Sequence, residues 1–126
     1  MELTTSATID SDKDMARVTM AGALNTETAP GFEASLDGVL AEGQHLVVLD
    51  MADLDYISSA GLRVIFKAAK QLKAEGRSLC VANRQAQIAK VFEILQALPD
   101  MRVFANDREL DEYLDAMQTR VRGGAD

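Results

Sequence analysis

Period-two alternation opens the chain. Leu3, Thr5, Ala7 and Ile9 fall on one face of an extended segment, and Ala16, Val18 and Met20 repeat the pattern beyond the polar stretch Asp10-Ser11-Asp12-Lys13-Asp14. Alternation on both sides of a turn-like segment predicts an antiparallel β-hairpin. Gly22 to Glu27 reads as a polar loop, and Pro30 stands where a first helical turn tolerates a missing N–H. Phe32, Leu36, Val39 and Leu40 then follow at helical spacing up to Gly43. Leu46-Val47-Val48-Leu49 is apolar without alternation, the pattern of a strand covered on both faces. Asp50 to Ile57 reads as a loop, with a short extended piece at Tyr56-Ile57.

From Ser59 the period becomes 3.6. Leu62, Ile65, Phe66, Ala69 and Leu72 form one stripe and Arg63, Lys67 and Lys70 another, with Gly76 as a C-terminal stop. Leu79-Cys80-Val81-Ala82 reads as a further buried strand, with Cys80 a small buried hydrophobe. Ile88, Val91, Phe92 and Leu95 mark a third helix ended by Pro99. Arg102 to Ala105 fits a short last strand. Asn106 with Glu109 has capping-box spacing, with Asp107 as the alternative cap, ahead of a fourth helix through Leu110, Leu114 and Met117. The predicted order is ββαβαβαβα. It implies one α/β domain over residues 1–121, a mixed sheet opened by a hairpin and covered by about four helices, and a fraying tail at 122–126.

Composition narrows the function. The 126 residues carry 20 Asp and Glu against 13 Lys and Arg, a net charge of −7, which disfavours a direct grip on nucleic acid. Cys80 alone gives no disulfide framework, and with only His45 beside it no structural zinc site. No apolar run approaches the length of a membrane span, and Met1 to Asp10 lacks the character of a signal peptide. A cytoplasmic protein without a metal or organic cofactor is the expectation, and nothing in the pattern forces a dimer.

Two places could carry chemistry. Leu46-Val47-Val48-Leu49-Asp50 resembles the phospho-acceptor strand of a response-regulator receiver, with Asp50 at the carboxyl edge of a central strand. The other receiver features are missing: Ala82-Asn83 ends the next strand and no Lys follows the last one. The second place is Asp53-Leu54-Asp55-Tyr56-Ile57-Ser58-Ser59-Ala60-Gly61-Leu62, which sets two hydroxyls where a loop becomes a helix. A Ser there can be an N-cap. The same geometry also tolerates a phosphate, because a helix N-terminus has free N–H groups and partial positive charge.

With its order of elements, this second segment resembles the STAS domain of bacterial anti-sigma factor antagonists, from Leu3 to about Met117. The resemblance implies a protein without catalytic activity that binds an anti-sigma factor which is also a serine kinase, and so frees a sigma factor. It implies that the kinase phosphorylates Ser59, two residues before Gly61, that the complex then separates, and that a serine phosphatase reverses the mark. Ser58 is the alternative acceptor. The partner is expected on an exposed patch of Leu24, Asn25, Thr26, Ser58, Ser59, Gly61 and Arg63. There are two departures from the family pattern: Ser58 stands where many relatives have Asp, and Gly22-Ala23-Leu24-Asn25 replaces Gly-Glu-Leu-Asp. A STAS scaffold subunit of a lipid-transport or stress complex, never phosphorylated, is the other reading of the same resemblance.

Overall fold

The computed structural model describes residues 2–97 and 107–123. The chain runs β1 (Leu3–Asp10), β2 (Met15–Leu24), α1 (Ala29–Ala41), β3 (Leu46–Ile57), α2 (Ser59–Ala74), β4 (Ser78–Ala82), α3 (Ala86–Ala97) and α4 (Asp107–Gly123). The strand expected at Arg102–Ala105 and the cap expected at Asn106 lie outside the described residues. The described strands form one mixed sheet in the order β1-β2-β3-β4, antiparallel at the hairpin and parallel thereafter. Both parallel pairs are joined through a helix, α1 and then α2.

The hairpin turn is closed by polar groups. Asp10 Oδ1 accepts from the Lys13 N–H (3.2 Å), and Asp14 takes the left-handed conformation (φ 51°) that Asp tolerates. Ala16, Val18 and Met20 point from β2 into the core, as their alternation predicts. In β1 the pattern is weaker: Leu3 and Thr5 are half-buried, but Ala7 and Ile9 stay exposed on the end strand.

Two strands are longer than the hydrophobic pattern predicts. Gly22 to Leu24 belongs to β2, and Asp50 to Ile57 continues β3 instead of looping out. The ladder between them is irregular twice: Thr19 pairs Asp50 but Ala21 pairs Asp53, and Gly22 pairs Leu54 but Ala23 pairs Tyr56. Each irregularity gives β3 one extra residue, which breaks the period-two rule locally. Met51, Leu54 and Ile57, every third residue, are therefore all fully buried. Gly22 sits at the second irregularity with φ +108°, where a Cβ would collide with the Glu2 carbonyl oxygen.

α1 begins with Pro30 in its first turn and buries Phe32, Leu36, Val39 and Leu40. α2 buries Leu62, Ile65, Ala68 and Leu72, one position away from part of the expected stripe: Ala69 is half-buried and Phe66 is 38% exposed. β4 ends the order of described strands, which leaves Cys80 exposed where burial was expected. α3 and α4 pack on each other beside the carboxyl end of β3, burying Ile88, Val91, Leu110, Leu114 and Met117. α4 reaches Gly123, two residues into the stretch expected to fray. Among the described residues no helix is long and apolar enough to cross a membrane.

Candidate functional site

β3 delivers the chain to the amino end of α2, and three other parts of the molecule meet it there. Ser58 is extended (φ −103°, ψ 174°) and acts as the N-cap: its Oγ accepts from the Gly61 N–H at 3.3 Å. The Ser58 carbonyl takes the first helical bond from the Leu62 N–H at 2.9 Å, and the Ser58 N–H donates to the Leu24 carbonyl at 2.8 Å. Ser59 is the first residue of α2, and its N–H donates to Asp111 Oδ1 of α4 at 2.9 Å. The first turn of α2 contains no acidic residue. The negative charge that favours a helix N-terminus thus comes from another helix.

The end of β2 is pressed against the same turn. A Cβ on Gly61 would overlap the Leu24 side chain and lie 3.2 Å from its carbonyl oxygen. A residue without a side chain is required at position 61 because Leu24 lies on it. Beyond Leu24, Asn25 Oδ1 accepts from the N–H groups of Glu27 (2.9 Å) and Thr28 (3.0 Å), and Thr28 Oγ1 donates to the Ala23 carbonyl (2.8 Å). This turn sets the loop beside α2 and leads into α1.

The irregular backbone of β3 is served by amide side chains. Gln118 of α4 accepts from the Ile57 N–H (2.9 Å) and donates to the Ile57 carbonyl (2.7 Å). Gln87 Nε2 donates to the Asp55 carbonyl (3.1 Å), and Gln85 Nε2 to the Ala52 carbonyl (3.0 Å). Gln87 and Gln118 are both buried, so each side chain replaces a ladder partner that the backbone lacks. Tyr56 is half-buried beside α4. Burial, then the carboxylates of Asp115 and Asp111, raise its phenol above the usual value.

The structure brings Leu24, Ser58, Ser59 and Gly61 of the expected patch together and encloses all four. Ser58 and Ser59 are 3% and 2% exposed, not open to solvent as expected, and Leu24 and Gly61 are buried against each other. The enclosure has a physical cause: α4 covers the turn through Asp111, and Leu24 fills the space over Gly61. Thr26 and Arg63 are exposed and Asn25 is half-exposed. Neither Asp111 nor Gln118 was among the candidates. Gln118 carried a signal, a polar residue on the same helical face as Leu110, Leu114 and Val121; Asp111, 52 positions from Ser59, carried none.

The other candidate, Asp50, lies further back on β3 and is engaged. Its Oδ2 accepts from Arg17 Nη1 (2.7 Å), and its Oδ1 accepts from the Ala52 N–H (3.1 Å) and Asn83 Nδ2 (3.2 Å). These bonds, the Ala52 N–H first, hold its carboxyl below the usual value against the opposing effect of burial.

Comparison with known proteins gives a consistent answer. Residues 6–110 match the model of the STAS domain. A protein of Bordetella bronchiseptica named as a candidate anti-sigma factor antagonist, BtrV, is 39% identical over 102 residues, covering 81% of this chain and 87% of the relative. The anti-sigma-B factor antagonist of Staphylococcus epidermidis is 30% identical over 81 residues, covering 64% of this chain and 75% of the relative. The crystal structure of an anti-sigma factor antagonist from Mycobacterium paratuberculosis shares the fold with a TM-score of 0.66 at 20% identity, covering 96% of this chain and 95% of that one.

Proposed function

The chain belongs to the STAS domain family of anti-sigma factor antagonists, and on that premise we propose that it binds an anti-sigma factor with serine-kinase activity, releases a sigma factor, and is switched off by phosphorylation of Ser59. In this reading the protein works in the cytoplasm, performs no catalysis of its own, needs no cofactor, and is returned to the binding state by a serine phosphatase. The observation that carries the choice of acceptor is the division of labour at the start of α2. Ser58 supplies the capping oxygen to the Gly61 N–H, whereas Ser59, one residue on, is not the cap. Phosphate on Ser58 would remove that cap; phosphate on Ser59 leaves it in place.

Docking on Thr26, Asn25, Arg63 and the turn between them puts Ser59 under the partner. A neutral hydroxyl can be desolvated there at modest cost if it is hydrogen-bonded, whereas a phosphate carrying about −1.5 to −2 charges cannot be without a matching cation. Titration calorimetry with the kinase tests this. Ser59→Ala should bind within a few-fold of the unmodified protein, and the phosphorylated protein at least ~10-fold more weakly, about 1.4 kcal/mol. Peptide mapping after reaction with kinase and ATP should find one phosphate, on Ser59. Equal affinity for both forms, or full incorporation into Ser59→Ala, overturns the proposal. The enclosure of Ser59 favours the other reading, a STAS scaffold that is never phosphorylated, and absence of any incorporation selects it.

A further inference from the structure

We infer that Asp111 occupies the anion position at the start of α2 that a phosphate on Ser59 would take, so that phosphorylation sets two anions against each other and loosens the first turns of α4. The inference rests on the phosphorylation of Ser59 proposed above and adds what the mark does inside the protein. The N–H of a first helical residue has no partner within its helix, and the positive end of the helix dipole is centred there. In α2 that N–H is held by the Asp111 carboxylate at 2.9 Å, and the helix has no acidic residue of its own in its first turn. One negative charge, borrowed from α4, fills the position while Ser59 is unmodified.

A phosphate attached to Ser59 is tethered to that position and carries about −1.5 to −2 charges. It meets the half-buried Asp111 at close range, beside a serine that is itself only 2% exposed, so the two charges are only partly screened. Asp115, exposed and four residues further along α4, adds a second carboxylate on the same helical face as Asp111. Leu110, Leu114 and Met117 hold α4 to the core, and Gln118 clamps it to both polar groups of the Ile57 backbone. Relief is therefore local. The carboxylates of Asp111 and Asp115 swing away and the backbone between them loosens, while Leu110, Leu114 and the Gln118 end stay on the core. By linkage, the opening that the phosphate favours is also the one that uncovers Ser59 for a kinase.

The test uses the isolated protein, with phosphoserine installed at position 59 during translation so that no kinase or partner is needed. Amide hydrogen exchange is followed through residues 111–123 in four forms, with and without phosphate, in the unaltered chain and in Asp111→Asn. Asn keeps an oxygen to accept the Ser59 N–H but removes the charge. Phosphate should speed exchange of the amides from Glu112 to Asp115 at least tenfold in the unaltered chain and less than threefold in Asp111→Asn, with the amides after Gln118 little changed. Unchanged exchange on phosphorylation of the unaltered chain overturns the inference, and that comparison needs no variant to fold. An equal rise with Asp111→Asn also overturns it, because the charge of Asp111 would then play no part. Calorimetry with the kinase reads the partner switch separately, so either idea can fail while the other stands.

Discussion

Gly61→Ala and Gly38→Ala make the same chemical change in two helices of this fold, and the structure assigns them opposite signs. Gly38 lies on the exposed face of α1, where an added Cβ meets nothing within 4 Å. Alanine there gains helix propensity and restricts the unfolded chain, for about 0.5–1 kcal/mol of added stability. At Gly61 the same methyl overlaps the Leu24 side chain, which is fully buried and has little room to withdraw. Overpacking of this kind costs roughly 1–3 kcal/mol, and the propensity gain is small so near the start of a helix. The net expectation is a loss of ~1–2 kcal/mol for Gly61→Ala, so the two variants should differ by about 1.5–3 kcal/mol. Urea unfolding measures both, with the midpoint moving down for one, up for the other, and the slope unchanged. Adding Leu24→Ala to Gly61→Ala should recover part of the loss relative to the sum of the two single changes. If Gly61→Ala is as stable as Gly38→Ala, Leu24 does not set the need for glycine, and the account of the α2 turn is wrong.

Ser58→Ala removes the capping oxygen from the Gly61 N–H and should cost about 1 kcal/mol in thermal unfolding, whereas Ser59→Ala removes no cap and should cost less. Gln118→Leu keeps the volume of a buried side chain but strands both polar groups of Ile57, for a loss of roughly 2–4 kcal/mol by denaturant unfolding. Asp50 has a folded-state pKa below its ordinary value of 3.8, so its contribution is present above that value and disappears as pH falls through the folded-state one. Asp50→Asn should accordingly be the less stable protein at pH 7, with the difference shrinking on acid titration; a gap that persists unchanged at the lowest pH would contradict this.

Much of the architecture was legible because most elements keep one period. α1 is readable from Phe32, Leu36, Val39 and Leu40, and the start and end of α2 from Ser58, Ser59 and Gly76. β3 beyond Leu49 was not, for a definite reason. Two irregularities rephase its side chains so that Met51, Leu54 and Ile57 share the interior three apart, and Asp53 and Asp55 between them, with Asp50 just before, mimic a loop. Cys80 and Phe66 failed differently. Each lies in an apolar run whose local pattern gives no information about which neighbour covers it, and the packing leaves both exposed. At the site, the motif located the turn and its two serines at the start of α2, because capping chemistry is local. It could not reveal the enclosure, which depends on Asp111 and Leu24, brought in from distant parts of the chain.

For the phosphorylation of Ser59 proposed above, that enclosure changes the demand on a kinase without putting the hydroxyl out of reach. An enclosed hydroxyl reacts only from an open form, and the apparent affinity falls by the fraction of molecules that are open. What must give way for Ser59 is limited. The polar contact from α4 is one charge-assisted hydrogen bond, Asp111 to the Ser59 N–H, of a kind contributing about 1.5–3 kcal/mol. An opening of that size leaves roughly one molecule in ten to one in a hundred accessible, since 1.4 kcal/mol is a factor of ten. Uncovering Leu110 and Leu114 as well would cost several kcal/mol more and make phosphorylation negligible. The Gln118 clamp and the apolar stripe therefore set how far α4 opens, and Asp111 sets how often. A partner that docks on Thr26 and Arg63, both already exposed, can engage the protein before that opening and then shift it by binding the open form more tightly.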